Sequence, residues 1–352
     1  MTRNSIFLGL VTIFVLGIGV GDLEAKKRKK TDQPEDMYAQ FVWPPPPDEA
    51  RIQLVDILDE RSDVEAESKF RRALIGAGPR SPYDHLKKPY GVAIDAQGRV
   101  LVTDTELHAL VRFDRDNRRM DVFGTTGASR LGVPLGVEVA SDGRIFVASS
   151  GKGEIVAFDD MGDVVGVYGR GGQLQNPTDM ALHPGGEKLY VADSKAHEIV
   201  VFNLKTGKRS FAFGQRGKGE GDFSFPTALV FGPEGDLLVV DQLNSRVQLL
   251  SEDGEYLDSF GDLGVGFGNF VRPKDVAVTA DGLIMVTDAA FNNVQIFDID
   301  FQLLTFVGAG GRGPGEFQNA AGIAVRGSDF AVVDQLNRRV QLFTFLSGGG
   351  GE

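Results

Sequence analysis

Aspartate recurs at one position of a repeated segment, and it is the residue in this sequence best placed to do chemistry. Carboxylates repeated around a symmetric fold can converge as ligands for a divalent cation. They can also be structural, because an aspartate before a polar turn accepts backbone N–H bonds and pairs with a nearby arginine or asparagine. The repeated residues are Asp104, Asp193, Asp241, Asp288 and Asp334. Repetition itself favours the structural interpretation, in which Asp241 contacts Asn244 and Arg246 and Asp334 makes the matching contacts.

Histidine and cysteine offer little further chemistry. The chain has no cysteine, which excludes disulfides, thiolate zinc sites, iron–sulfur clusters and cysteine nucleophiles. Its 4 histidines do not fall at zinc-ligand spacing. His108 and His197 occupy equivalent turns of the repeat, where they are either a catalytic pair or ordinary turn residues. Residues 308–313 match G-x-G-x-x-G, but a strand follows them instead of a helix, so a connecting loop is favoured over a dinucleotide site.

The aspartates mark a segment that recurs six times. Successive copies are 45, 44, 48, 47 and 46 residues apart, with Ser149 at the aspartate position of the second copy. Each copy holds short runs of Val, Ile, Leu and Phe separated by turn residues. Four strands in a period of this length are typical of a propeller blade. We therefore predict an all-β fold, a six-bladed β-propeller of four-stranded blades over residues 87–346.

The ends of the repeat array predict how the ring closes. The sixth copy ends after its third strand, so its fourth strand must come from elsewhere in the chain. Residues 51–58 alternate apolar and polar side chains before the first blade, and we predict that they form this closing strand. Residues 64–75 place apolar side chains at helical spacing and predict a short helix. The propeller domain thus spans residues 51–346, and a glycine-rich tail, 347–352, follows it.

The N-terminus has the features of a targeting segment. Residues 6–21 carry no charge over 16 positions, a length that suits a signal peptide better than a permanent membrane span. We predict a signal peptide or membrane anchor over residues 1–25, contacting the membrane at least transiently, with the body exported to the cell envelope or periplasm. Because basic residues 26–30 follow the apolar run, an inward-facing anchor is the alternative. Residues 26–50 are charged and end in four prolines, which predicts a stiff linker.

The charge balance disfavours nucleic acid as a partner. The whole chain has a formal net charge of −12. Residues 31–352 carry 31 basic and 47 acidic residues, so this part has a net charge of −16. A surface of this sign repels phosphate backbones, and no basic cluster follows residues 26–30.

Two segments of the repeat resemble the NHL-repeat family of six-bladed propellers. They are residues 239–249, which read VVDQLNSRVQL, and residues 332–343, which read VVDQLNRRVQLF. The resemblance covers residues 87–346, and the proline-rich lead and closing strand are similar to bacterial exported members. The second copy departs from the pattern at Ser149 and Gly153. The resemblance implies partner binding through one propeller face, with metal-dependent lyases or hydrolases as a minority of related propellers.

The repeat also predicts which residues share one face of the disc. Because strands alternate in direction, the turn entering each first strand and the turn joining the second and third strands lie on the same side, which we call the entrance face. Residues expected near the channel on this face are Tyr90, Thr178, Asp179, Thr227, Lys274 and Asp275. Residues expected further out are His108, Lys195, His197, Gln242, Phe291 and Gln335. Tyr90 and Phe291 are the expected exposed aromatic anchors.

Three functions are compatible with this arrangement. The leading hypothesis is a non-catalytic scaffold in the cell envelope that presents the entrance face to a protein, with a glycan or small ligand as the other occupants. The first alternative is a metal-dependent lyase or hydrolase acting in the channel, which would require Asp179, Asp275 or His197. The second alternative, RNA binding by the face, is disfavoured by charge. No cofactor is predicted, and a structural or channel-bound divalent metal is left open.

Overall fold

Each repeat folds into four antiparallel strands, because short β-branched and aromatic runs alternate with turns that close on glycine, such as Gly98 and Gly143 with φ of 74° and 87°. The structure is a computed structural model that describes residues 37–65 and 81–346. The predicted signal segment 1–25, the tail 347–352 and most of the predicted helix 64–75 lie outside these residues. A short 3₁₀ helix, Arg61–Asp63, precedes the second gap.

The strands form six antiparallel sheets, which confirms the predicted six-bladed β-propeller. Two strands precede the first blade: β1 (Val42–Trp43) and β2 (Ile52–Leu58). Blade 1 contains β3 (Pro89–Ile94), β4 (Val100–Asp104), β5 (Ala109–Asp114) and β6 (Arg119–Phe123). Blade 2 contains β7 (Pro134–Val139), β8 (Ile145–Ser149), β9 (Glu154–Phe158) and β10 (Val164–Tyr168). Blade 3 contains β11 (Pro177–Leu182), β12 (Lys188–Asp193), β13 (Glu198–Asn203) and β14 (Arg209–Phe213).

The remaining blades follow the same order from the channel outwards. Blade 4 contains β15 (Pro226–Phe231), β16 (Leu237–Asp241), β17 (Arg246–Leu250) and β18 (Tyr256–Phe260). Blade 5 contains β19 (Pro273–Val278), β20 (Ile284–Asp288), β21 (Asn293–Phe297) and β22 (Leu303–Val307). Blade 6 contains β23 (Ala320–Arg326), β24 (Asp329–Asp334) and β25 (Arg339–Phe345). Short 3₁₀ helices are also present at Gly127–Ser129, Ser150–Lys152 and Gln242–Asn244.

The N-terminal strand closes the ring, as the sequence predicts. Strand β2 pairs antiparallel with β25, with Leu54 opposite Phe343 and Leu58 opposite Val340. Leu54, Leu58 and Phe343 are fully buried. Because the first and last strands of the array share one sheet, neither end of the ring is left as an open edge.

A fifth strand, which the sequence analysis did not anticipate, covers the outer edge of blade 6. Strand β1 pairs with β2, with Trp43 opposite Ile52. The Trp43 ring packs edge-on against Phe343, with 5.6 Å between ring centroids. This strand lies within the predicted linker 26–50, so part of that segment is built into the sheet.

The core consists of apolar clusters between neighbouring blades. One cluster joins blades 3 and 4 through Tyr190, Val201, Phe223 and Leu237, and similar clusters occupy the other interfaces. In residues 37–65 and 81–346, no helix is long and apolar enough to cross a membrane.

Candidate functional site

The five blade aspartates are buried and tie each blade to its own entrance turn. Each has an exposed fraction of at most 1%. Asp104 accepts N–H bonds from Lys87 at 2.7 Å and from Leu107 at 2.9 Å. Asp193, Asp241, Asp288 and Asp334 make the equivalent bonds to the turns before β11, β15, β19 and β23. None of these five aspartates lines the central channel, so in this structure they make structural contacts.

The side-chain partners expected from the spacing are also present. Asp241 accepts bonds from Asn244 at 2.7 Å and from Arg246 at 2.9 Å. Asp334 makes the matching contacts with Asn337 and Arg339. These charge-assisted bonds hold the turn between the second and third strands in blades 4 and 6.

Blade 2 replaces this network with a different one. The hydroxyl of Ser149 accepts the N–H of Gly132 in the entrance turn at 2.9 Å, so serine makes the bond that aspartate makes elsewhere. Glu154 stands opposite Ser149, where blade 4 has Arg246 opposite Asp241. Glu154 pairs with Arg170 at 2.9 Å.

The predicted residues further out on the entrance face mostly bridge neighbouring blades. Gln242 donates to the carbonyl of Pro273 at 3.0 Å, and Gln335 donates to that of Pro89 at 3.1 Å. His197 accepts the N–H of Phe225 at 3.1 Å through Nδ1. His108 instead donates through Nδ1 to the carbonyl of Gly132.

Each of these contacts joins the turn between the second and third strands of one blade to the entrance turn of the next blade. Both types of turn therefore lie on the same face of the propeller. His108 and His197 are engaged in different interfaces, and the structure does not bring them together as a catalytic pair. Lys195 is exposed, whereas Phe291 is only partly exposed and donates its backbone N–H to Asp288 at 3.1 Å.

The central channel is lined by the innermost strand of each blade and encloses about 220 Å³. Tyr90, Lys274 and both predicted threonines line it. The Lys274 ammonium lies 5.2 Å from the centroid of the Tyr90 ring, within range of a cation–π contact. Burial, with Arg272 and Lys88 nearby, lowers the pKa of Lys274 to about 8.

Tyr90, which was expected to be an exposed anchor, is partly buried. Tyr90 lies in the channel wall, where burial and then Asp275 and Asp179 raise its pKa. A bulge at the start of β3, between Pro89 and Val92, accompanies this placement.

Two of the predicted carboxylates point from one channel strand to the next. Asp179 of blade 3 accepts the N–H of Leu229 of blade 4 at 3.2 Å. Asp275 of blade 5 accepts the N–H of Ile323 of blade 6 at 2.8 Å. Gly136 of blade 2 makes room for Asp179, since a methyl group at that position would overlap the carboxylate. Burial raises the pKa of both aspartates, and for Asp179 the charge of Asp275 adds to this effect.

Glu138 is a channel residue that the sequence analysis missed. It is the fifth residue of β7, and burial followed by the charge of Asp275 raises its pKa to about 8. Alignment of the repeats contains the signal, because the other blades carry only alanine or valine at this position. These residues are Ala93, Ala181, Val230, Ala277 and Ala324.

The channel does not fit the metal site that the enzyme alternative requires. Within residues 37–65 and 81–346, no group of three or more His, Asp or Glu side chains is arranged to hold a metal ion. Asp179 and Asp275 are bonded to backbone N–H groups, and His197 is bonded to Phe225. The predicted residues Asp179, Asp275 and His197 are therefore not assembled as ligands.

The entrance face carries exposed apolar side chains. Leu243 and Leu336, in equivalent turns of blades 4 and 6, have exposed fractions of 61% and 62%. Phe225 is exposed beside Leu243, and its ring packs against His197 with 5.0 Å between centroids. The bridges described above fix these turns in place, so the side chains stand on a rigid ring.

Known structures with the same fold include both enzymes and a protein of unknown function. An inactive variant of virginiamycin B lyase from Staphylococcus aureus with quinupristin is 13% identical, with a TM-score of 0.55, and covers 76% of this chain and 83% of the lyase chain. A gluconolactonase from Xanthomonas campestris is 18% identical, with a TM-score of 0.56, covering 74% of this chain and 87% of its own.

A structural genomics protein of unknown function from Bacteroides thetaiotaomicron is 15% identical, with a TM-score of 0.60. The match covers 82% of this chain and 75% of the Bacteroides chain. No protein-family model matches the sequence. At these identities the likeness establishes the propeller fold and carries no activity over to this chain.

Proposed function

We propose that this chain is an NHL-repeat propeller that acts as a non-catalytic, protein-binding scaffold. It would present its entrance face to a partner in the cell envelope. The observation that carries the proposal is the pair of equivalent, exposed leucines, Leu243 and Leu336, on turns that bridge neighbouring blades. Exposed apolar side chains on a rigid polar surface are typical anchors of protein interfaces.

Several features support a face-binding role over channel chemistry. The blade aspartates and the outer histidines are used in structural contacts. The channel carboxylates Asp179 and Asp275 are held by backbone N–H groups of the next blade. A lyase or hydrolase reaction in the channel remains the alternative, and the enzymes of the same fold do not favour it further at their low identity.

The proposed location rests on the uncharged segment 6–21, which lies outside the described residues. Residues 26–41, which precede β1, would then separate the propeller from the membrane. The net charge of −16 on residues 31–352 favours a partner whose contact surface is neutral or basic.

A pair of double variants tests the proposal. Full-length tagged protein is cross-linked in its native membrane and envelope fraction, and captured partners are identified by mass spectrometry. The variant Leu243→Glu/Leu336→Glu should recover roughly ten-fold less of the partner, because two charges would be buried in the interface. The backbone bonds of both turns do not involve these side chains, so the fold is expected to persist.

The matched control places the same charges on the opposite face. Met161 and Ile299 lie in turns between third and fourth strands and have exposed fractions of 75% and 60%. Met161→Glu/Ile299→Glu should recover the partner at the wild-type level. Equal loss in both variants, or no loss in either, would contradict binding through the entrance face.

A further inference from the structure

Three loops between blades are built on one pattern. Residues 214–223, 261–270 and 308–317 read GQRGKGEGDF, GDLGVGFGNF and GAGGRGPGEF. Each ends in a fully buried phenylalanine. In each loop a glycine at positive φ donates its N–H to a glutamine of the third strand of the blade that follows. These pairs are Gly221 with Gln248, Gly268 with Gln295, and Gly315 with Gln341.

The middle loop is apolar where its first counterpart is charged. Arg216, Lys218 and Glu220 occupy three positions of the first loop. The middle loop has Leu263, Val265 and Phe267 at those positions, with exposed fractions of 75%, 88% and 85%. The backbone framework is shared, so the fold does not require these apolar side chains. Exposed apolar groups on one of three equivalent loops indicate a binding surface.

In the third loop, the equivalent glycine is covered by an aromatic side chain. A methyl group on Gly315 would overlap the indole of Trp43, so the strand β1 places its aromatic side chain directly on this glycine. At Gly268 the nearest atom to such a methyl group is 3.9 Å away, on Phe297. The space that Trp43 fills in blade 6 is therefore open in blade 5, and Phe267 flanks it.

The outer strand of blade 5 is also open. Strand β22 is the edge of its sheet among the described residues and contains no charged residue. Its Leu304 and Phe306 are exposed by 54% and 42%, and Phe306 stacks on Phe267 with 6.0 Å between centroids. An uncharged edge strand readily pairs with another extended chain.

The other outer strands lack this combination of features. Strands β6, β14 and β18 carry Arg119 and Asp121, Arg209, and Asp258, and charges discourage edge pairing. Strand β10 has no charge, but Gly166 interrupts it, and glycine weakens a strand because it has no side chain to pack against a partner. Strand β2 is already covered by β1.

We propose that the outer edge of blade 5 binds an extended segment of a partner protein. The segment would pair with β22 and place an aromatic side chain on Gly268 beside Phe267 and Phe306, as Trp43 is placed on Gly315. A second copy of this chain is disfavoured as the occupant, because its own aromatic segment is paired with β2 and two acidic bodies repel. The same acidity favours basic residues flanking the aromatic segment. This inference rests on the proposed protein-binding function and names a surface for it.

The test uses a loop exchange that the chain itself provides. The variant Leu263→Arg/Val265→Lys/Phe267→Glu gives the middle loop the residues of the first loop, which the same framework tolerates. A second variant, Leu304→Lys, adds a charge to the edge strand. Random linear peptides displayed on phage are selected on the full-length wild-type protein. The enriched peptides are then synthesised, and their binding is measured by fluorescence anisotropy.

Enriched peptides should contain aromatic residues at alternate positions with basic flanks. Both variants should weaken their binding roughly ten-fold or more. The control Arg216→Ala/Lys218→Ala/Glu220→Ala, in the first loop, should bind as the wild type does, and thermal unfolding should show all variants folded.

Three results would overturn the proposal: no aromatic peptide is enriched, the peptides bind both variants as tightly as the wild type, or sedimentation shows a wild-type dimer that the loop exchange abolishes. The loop exchange is also used in the native-fraction capture. A partner lost with Leu243→Glu/Leu336→Glu but retained with the loop exchange would leave the proposed function standing and remove this inference.

Discussion

Replacing Asp241 by alanine should lower the free energy of unfolding by about 3–5 kcal/mol. The Asp241 carboxylate is fully buried and accepts bonds from the backbone of Ser224 at 2.6 Å and from the side chains of Asn244 and Arg246. Its removal leaves a buried N–H and the charge of Arg246 without their acceptor. Urea unfolding of the purified protein measures the difference.

Two further variants distinguish the effect of losing this hydrogen-bond network from the effect of losing one negative charge. Asp258 is exposed on β18, so Asp258→Ala should change the free energy of unfolding by less than about 0.5 kcal/mol. The double variant Asp241→Ala/Arg246→Ala should cost less than the sum of the single variants, since the unpaired charge is removed with its partner. A cost below about 1 kcal/mol for Asp241→Ala would contradict the structural role of the blade aspartates.

Replacing Glu138 by glutamine should stabilise the protein at pH 9 by about 4–5 kcal/mol and at pH 5 by less than about 1 kcal/mol. The pKa of Glu138 is raised from 4.5 to about 8, so the folded protein holds this proton more tightly than the unfolded chain. Between pH 4.5 and about 8, Glu138 is ionised in most unfolded chains but still protonated in most folded ones. The wild type therefore loses stability as the pH rises, whereas glutamine stays neutral throughout.

The measurement is urea unfolding of both proteins at pH 5 and pH 9. Comparing the two proteins at each pH cancels the contribution of Lys274, whose pKa is also shifted. Asp179 and Asp275 interact with Glu138, so the difference includes the effect of the Glu138 charge on these two carboxyl groups. Exposed Glu255 supplies the control, and Glu255→Gln should not alter the difference between the two pH values. A Glu138→Gln variant with the same pH dependence as the wild type would show that Glu138 does not hold a proton in the channel.

The blades could be predicted because their signal repeats. Each copy carries its own turn glycines and an aspartate or serine, and the first five copies also carry an entrance proline. A strand that is ambiguous in one copy can therefore be assigned from the equivalent strands of the others. The closing strand could be predicted as well, since the sixth copy visibly lacks one and residues 51–58 alternate. Local pattern and global fold agree at these positions.

Three features escaped prediction for physical reasons. The strand Val42–Trp43 is only two residues long and precedes a proline run, so no local periodicity marks it. Tyr90 was expected near the channel, but its burial there depends on packing with other blades, which its place in the repeat does not show. Glu138 differs from its counterparts in the aligned repeats, but its interaction with Asp275 was not evident, because the two residues come from blades far apart in the sequence.

The likeness to a lyase and a gluconolactonase does not decide between binding and catalysis. Propellers of the same fold support unrelated functions, because function depends on the loops and channel residues that the fold presents. In this chain the channel carboxylates hold neighbouring blades, and the exposed apolar groups lie on the outside. The distinction between these two surfaces can be measured directly.

Lysine cross-linking of the captured complex gives the most direct test of binding through the entrance face. Lys152, Lys195 and Lys218 are exposed on this face, and Lys205 and Lys208 are exposed on the opposite one. Partner cross-links should map to the first three lysines and not to the last two. Cross-links concentrated at Lys205 and Lys208 would contradict binding through the entrance face.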